Sequence, residues 1–155
     1  MPQKQTLANL ALANDTIAKS LHAHLNQWPG KPAQIGSITV DGFNKESPTM
    51  MLQQLQGTQV YANYVNGGYM GQWPFAVYMR IKPKDTGARI DASQVLKDLT
   101  EYLTDDGAPL PVLLDPTMEA IIIELTATPV AMGGQVDGTI DYQTLFRLRY
   151  KQKGR

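Results

Sequence analysis

The side chains best suited to metal chemistry are two histidines, His22 and His24, and the chain has no cysteine. On a helix these two imidazoles would point about 200° apart, so they cannot hold one metal ion together. We interpret both as surface or half-buried side chains. Without cysteine there is no disulfide, no thiolate ligand and no cysteine nucleophile. The sequence therefore predicts no metal site and no cofactor.

Acid–base catalysis needs carboxylates that share a cleft and whose pKa values are pushed apart. Most acidic residues here lie instead at expected helix caps and turns. The exception is Glu124, inside an expected strand, which most simply pairs across the sheet with Arg80, Arg147 or Arg149. No nucleophile elbow, zinc-protease helix or calcium loop occurs in the sequence. We expect a protein that is not an enzyme and has no small-molecule substrate.

Basic residues recur at every second position of the last stretch, at Arg147, Arg149, Lys151, Lys153 and Arg155. Side chains two residues apart on a strand share a face, and Arg80 and Lys82 are expected on the same kind of face. Such a row could contact phosphate groups. The alternative is a solvated sheet face.

Residues 66–74 combine three glycines with Tyr69, Met70 and Trp73. The glycine spacing fits neither the dinucleotide-binding motif nor the P-loop. Because tyrosine, methionine and tryptophan are enriched at interface centres, we expect a loop that contacts a partner through Tyr69 and Met70. For Trp73, next to Pro74, the alternative is that its side chain covers the end of the core.

Charge is segregated along the chain although the total is zero. Residues 1–84 carry seven basic and three acidic groups, residues 85–141 two basic and eleven acidic, and residues 142–155 five basic and none acidic. The balanced total argues against bulk electrostatic binding to nucleic acid. Segments of opposite net charge favour head-to-tail association between copies of the chain. The alternative is that these charged segments intermix in the folded chain.

The clearest secondary-structure signal is the final stretch, residues 139–151. Its alternation places apolar groups on one face of a strand: Ile140, Tyr142, Thr144, Phe146, Leu148 and Tyr150. The opposite face carries the basic series. This pattern predicts a long strand that turns one face to the core.

The rest of the chain gives shorter signals. Apolar spacing predicts a helix over residues 6–28, and Asp91 is expected to cap a second helix that Asp105-Asp106-Gly107 closes. Ser47-Pro48 indicates an N-cap and a short helix over residues 48–56, ending at Gly57. Further strands are expected over residues 37–43, 58–65, 75–82 and 119–127, with residues 128–138 as a loop.

These elements predict an α+β fold of two layers. We expect a mostly antiparallel sheet of four to five strands, with two longer helices and one short helix packed on one face. A chain of 155 residues is expected to form one domain, residues 1–155. No apolar run approaches the ~20 residues that cross a bilayer, and no signal-peptide pattern opens the chain, so we expect no membrane partner.

The run Tyr64-Val65-Asn66-Gly67, followed by Phe75-Ala76-Val77-Tyr78-Met79-Arg80, resembles the small head-tail joining proteins of long-tailed bacteriophages, the minor capsid and tail terminator proteins. The resemblance covers residues 50–152 in the order of elements and in the ending Asp137-Gly138-Thr139-Ile140-Asp141-Tyr142-Gln143, which leads into a basic strand. Residues 26–48 carry no motif of that family.

The resemblance implies a structural virion protein of the head-tail interface, made in the host cytoplasm. A tail terminator forms a ring, commonly a hexamer, that caps the tail tube and stops its polymerisation. The implied partners are other copies of the chain, the tail tube protein and the head completion or connector protein, with DNA only passing through the ring lumen, if at all. The alternatives are a head completion or minor capsid protein and, in another class, a small-ligand or nucleic-acid binding module. The residues expected at an interface are Tyr69, Met70, Trp73, Arg80, Arg147, Arg149 and Lys151.

Overall fold

The computed structural model describes residues 7–33, 35, 37–43, 48–55, 59–82, 86–134 and 138–154. Its elements are, in chain order, α1 Leu7–Asn26, β1 Thr39–Val40, β2 Thr49–Gln54, β3 Gln59–Asn63, β4 Tyr69–Ile81, α2 Thr86–Thr104, β5 Met118–Gly134 and β6 Ile140–Gln152. The sheet order is β1-β2-β4-β6-β5, with β3 also paired to β4. All pairings are antiparallel except the one between β1 and β2. The described chain is thus α+β, with six strands in place of the four to five predicted.

Strand β6 lies between β4 and β5 and is paired along its length on both sides. Its buried side chains on one face are Tyr142, Thr144, Phe146, Leu148 and Tyr150. On the other face Asp141 is buried, Arg147 and Arg149 are half-buried and Lys151 is exposed. The alternation predicted for this strand is therefore confirmed. Because aromatic side chains bury large apolar areas, this face is a major part of the core.

Both helices contribute to the same core as this face of the sheet. Helix α1 buries Ile17, Leu21 and Leu25, and α2 buries Leu96, Leu99 and Leu103. We call the sheet face that packs against the helices the core face, and the opposite one the open face. Helix α2 ends before Gly107, whose φ of 77° places it in the left-handed region, as the predicted Asp105-Asp106-Gly107 stop requires.

The predicted short helix over residues 48–56 is wrong within its described part, where β2 occupies Thr49–Gln54. Ser47, Gln56 and Gly57 lie outside the described residues. The apolar run in β2 hides a strand alternation, because Met50 and Leu52 lie in the core while Met51 faces the other way. Six backbone pairings with β4 outweigh the local signal for a helix start.

The predicted loop over residues 66–74 is also wrong, because β4 already begins at Tyr69 and only residues 64–68 form a turn. Pro74 favours a loop over a strand at this position, since proline is rare inside sheets. Its carbonyl oxygen accepts a hydrogen bond from the Leu55 N–H at 3.0 Å, so its nitrogen faces away from β6. The edge of β4 that the Pro74 nitrogen faces lies between the ends of β2 and β3. The missing N–H of proline therefore removes no hydrogen bond between strands.

Two element boundaries differ from the prediction for similar reasons. Helix α2 begins at Thr86, so Asp91 lies inside it and is not its cap; residues 86–90 include a glycine and give no clear apolar period. Strand β5 continues to Gly134, beyond the predicted end at Ala127. It tolerates Pro129 because it is an edge strand with several register shifts. Residues 135–137 of the predicted loop lie outside the described part.

Candidate interaction site

The open face of the sheet brings together three of the predicted basic residues, Arg147, Arg149 and Lys151, which follow one another on β6. Glu124 of β5 lies opposite Arg147 in the register. Its Oε1 atom is 2.6 Å from Nε of Arg149 and 3.3 Å from Nη2 of Arg147. The predicted role of Glu124 is confirmed for these two arginines. Glu119 lies opposite Lys151 in the same register, so the three basic and two acidic side chains leave one net positive charge on this surface.

Arg80 lies on the open face but apart from this group. Its guanidinium donates to both carboxylate oxygens of Asp141, at 2.7 and 2.9 Å, and lies 4.2 Å from the centre of the Phe43 ring. Arg147 follows Asp141 by six positions on β6, which is about 20 Å along a strand. Arg80 is therefore held in a separate paired cluster, and we define the basic face as Arg147, Arg149 and Lys151.

Two tyrosines of the β3–β4 hairpin complete the basic face, and the sequence analysis did not single them out. The Arg149 guanidinium carbon lies 5.5 Å from the Tyr61 ring centre, and Nζ of Lys151 lies 5.8 Å from that of Tyr64. Both tyrosines are exposed, at 48% and 40%. Cation–π contacts of this kind order long basic side chains. The signal that could have found them is the hairpin itself, which returns residues 59–63 alongside β4.

The structure separates the three apolar residues predicted for the interface. Tyr69 and Trp73 point to the core, and Trp73 is fully buried. A side chain without exposed surface offers nothing to a partner, so the interface hypothesis is wrong for these two residues, and Trp73 follows the alternative of covering the core. Met70 alternates to the open face, where it is half-buried opposite Lys151.

A pocket of about 430 Å³ opens on the helix side of the fold. Its walls are residues of the C-terminal half of α1, Tyr102 of α2, and the segment after α2, including Pro109, Leu110 and Val112. Val112 is 88% exposed, so apolar surface continues onto the rim. We call this cavity the helix-side pocket. Five of the nine lining residues are apolar and four carry polar side chains, and pockets of this size hold a ligand or the side chains of a partner.

His24 forms part of the pocket wall and is buried, at 6% exposure, rather than at the surface or half-buried as predicted. Its ring stacks on that of Tyr102, with centroids 5.1 Å apart. Burial lowers the pKa of His24 below its ordinary value, against the opposing effect of a hydrogen bond to the Pro109 carbonyl. The Nε2 atom has no hydrogen-bond partner. We therefore expect a neutral imidazole in the folded protein near pH 7.

The lowered pKa of His24 predicts an acid-sensitive fold. The unfolded chain binds the proton more readily, with a pKa of about 6.5. Neutral His24 therefore contributes its full stabilisation above the pKa of the unfolded chain. That contribution is lost as the pH falls through the lower pKa of His24 in the folded state. The midpoint of urea unfolding should therefore decrease between about pH 7.5 and about pH 5.5.

The variant His24→Phe keeps the ring stack on Tyr102 and removes the titration. Its unfolding midpoint should depend less on pH over the same interval. His22 serves as the matched control, because its Nε2 atom bonds to the Ile38 carbonyl outside the pocket. If His22→Gln abolished the pH dependence and His24→Phe did not, the assignment to His24 would be wrong.

The helix side carries charge of the opposite sign to the basic face. Between residues 91 and 106 there are five acidic residues and one basic residue, Lys97. The acidic residues, all exposed, are Asp91, Asp98, Glu101, Asp105 and Asp106. Glu101 precedes the pocket residue Tyr102 in the chain, and Asp105 and Asp106 follow it by three and four residues. This acidic cluster thus lies on the helix side, whereas Glu119, Glu124 and Asp141 lie opposite basic residues on the open face.

Among the described residues no cluster of three or more histidine, cysteine or acidic side chains could hold a metal ion. None of the helices in this part of the chain is long and apolar enough to cross a membrane. No family model matches the sequence, and no curated protein matches it. The fold and its surfaces define the class: a two-layer α+β protein with a basic, aromatic open face and an acidic helix side that bears an apolar pocket.

Proposed function

We propose that this protein is a tail terminator of a long-tailed bacteriophage, which forms a ring on the last ring of the tail tube and stops its polymerisation. The observation that carries the proposal is the opposite charge of the two sides of the fold, the basic face on one and the acidic end of α2 on the other. Such sides suit heterologous contacts, in which one surface of each copy meets a different surface of the next. These contacts close into a ring if the rotation between copies permits.

The exposed aromatic residues of the open face support a protein partner. Tyr61 and Tyr64 lie beside Arg149 and Lys151, and tyrosine and arginine are enriched at interface hot spots. A surface that also bound single-stranded nucleic acid would use the same stacking and charge. Glu124 favours the protein partner, because its carboxylate already pairs with both arginines and would repel phosphate. A head completion protein is the alternative within the same structural class.

The proposal predicts self-association that salt weakens. Light scattering at about 50 mM salt should give the mass of a closed ring, with a smaller mass at about 500 mM, where charges are screened. Added to polymerising tail tube protein of the same phage, the protein should limit tube length, and electron microscopy should show it at one end. A chain that stays monomeric at high concentration in low salt, and does not bind tubes, would contradict the proposal.

A further inference from the structure

The turn between β3 and β4 is closed by hydrogen bonds among its own residues. The Tyr64 N–H donates to the Gly68 carbonyl at 2.8 Å, and the Gly67 N–H donates to the Tyr64 carbonyl at 3.1 Å. The Gly68 N–H also donates to Oδ1 of Asn66 at 3.0 Å. Gly67 has a φ of 87°, a conformation that glycine adopts without strain. A turn held in this way loses little conformational freedom on binding.

The turn displays an apolar tip beside a positive charge. Val65, at 79% exposure, is among the most exposed large apolar residues of the described chain, and Tyr64 next to it is also exposed. Lys151 lies against the Tyr64 ring from the neighbouring part of the sheet. We call Tyr64, Val65 and Lys151 the hairpin tip. Rigid apolar groups with an adjoining charge are typical anchors of protein interfaces.

The helix-side pocket has the size and the partly apolar lining to admit this tip. Its volume of about 430 Å³ has room for one tyrosine and one valine side chain. Its walls and rim include the Tyr102 ring, Leu110 and Val112. Glu101 and Asp105, one residue before and three residues after Tyr102, are exposed and carry negative charge on the same side of the fold.

We propose that the hairpin tip of one copy inserts into the helix-side pocket of the next copy. This inference rests on the proposed ring and names its contact. A second copy of the chain is the occupant that the observations favour, because the same chain presents an apolar tip with an adjoining cation and a partly apolar pocket on the side that carries exposed acidic residues. The contact is heterologous, so each copy uses its tip on one neighbour and its pocket on the other.

Two variants test the contact from its two sides. Val65→Asp places a carboxylate on the tip, and Ala23→Trp fills the pocket from an exposed position of α1. Matched controls are Leu12→Asp and Ala11→Trp, also exposed and about 18 Å along α1 from Ala23. Each test variant should raise the apparent dissociation constant of self-association at least tenfold, measured by analytical ultracentrifugation. The controls should leave it unchanged, and circular dichroism should show all four variants folded.

Mixing the two variants gives the sharper result. A one-to-one mixture of Val65→Asp and Ala23→Trp retains one intact tip and one intact pocket, so it should form a dimer and nothing larger. If the wild type forms rings and both variants do so equally well, the inference fails and the proposed ring stands. If the wild type is monomeric at low salt and does not bind tail tubes, both fail. Oligomers beyond the dimer in the mixture would also overturn the tip-to-pocket contact.

Discussion

Replacing Phe146 by alanine should lower the free energy of unfolding by about 3 to 5 kcal/mol, the range for truncating a buried aromatic residue. Phe146 is fully buried at the centre of β6, and its ring stacks on Phe75 of β4 with centroids 5.3 Å apart. Both rings lie on the core face, against which α1 and α2 pack. The substitution would leave a cavity between the core face of the sheet and the two helices. Urea unfolding followed by circular dichroism measures the change.

Arg147 is the matched control, because it is the next residue on the same strand and points to the open face. Its guanidinium pairs with Glu124, but the side chain is 31% exposed, so the pair contributes little. Arg147→Ala should therefore lower the free energy of unfolding by less than about 1 kcal/mol. Equal losses in the two variants would show that the two faces of β6 are wrongly assigned.

A single methyl group on Gly71 should be the second most damaging of the changes considered. A Cβ atom at this position would lie 2.7 Å from the Cζ atom of Tyr150 on the neighbouring strand. Tyr150 is fully buried, and its hydroxyl is 3.0 Å from that of Tyr69, so its ring has little room to move. Gly71→Ala should therefore lower the free energy of unfolding by about 1 to 3 kcal/mol through overpacking.

Gly42 provides the control for the same chemical change. No atom lies within 4 Å of a Cβ built on it. Gly42→Ala should leave the free energy of unfolding within about 0.5 kcal/mol of the wild type. Thermal and urea unfolding of the two variants, measured side by side, should separate them clearly. A stable Gly71→Ala protein would mean that Tyr150 does not pack against β4 as described.

The structure moves the expected partner contact from residues 66–74 to the residues just before them. The sequence correctly indicates a turn between two strands in this region, and it predicts that exposed side chains contact a partner. The exposed large apolar residues are Tyr64 and Val65, just before that segment, because β4 starts at Tyr69 and draws Tyr69 and Trp73 into the core. The glycines and Pro74 are local signals, whereas the pairing of β4 with β6 over thirteen positions is not local.

The sequence by itself determined the elements whose apolar period is long and regular. Helix α1 and strand β6 each repeat one pattern over more than ten residues, and the burial of a whole face depends on that pattern alone. The class of fold follows from the order of such elements. The pairing of Glu124 with Arg147 and Arg149 also follows from the sequence pattern, because alternation places all three side chains on polar faces of neighbouring strands.

Only the tertiary structure decided the shorter elements and the surfaces. Residues 49–54 became a strand because an unpaired edge of β4 was available, which no local sequence feature reveals. Tyr61 and Tyr64 reach Arg149 and Lys151 through a strand pairing between residues far apart in the chain. The helix-side pocket likewise joins α1, α2 and the segment after α2. Packing between distant segments sets these positions, because each buries its apolar surface only when the others are in place.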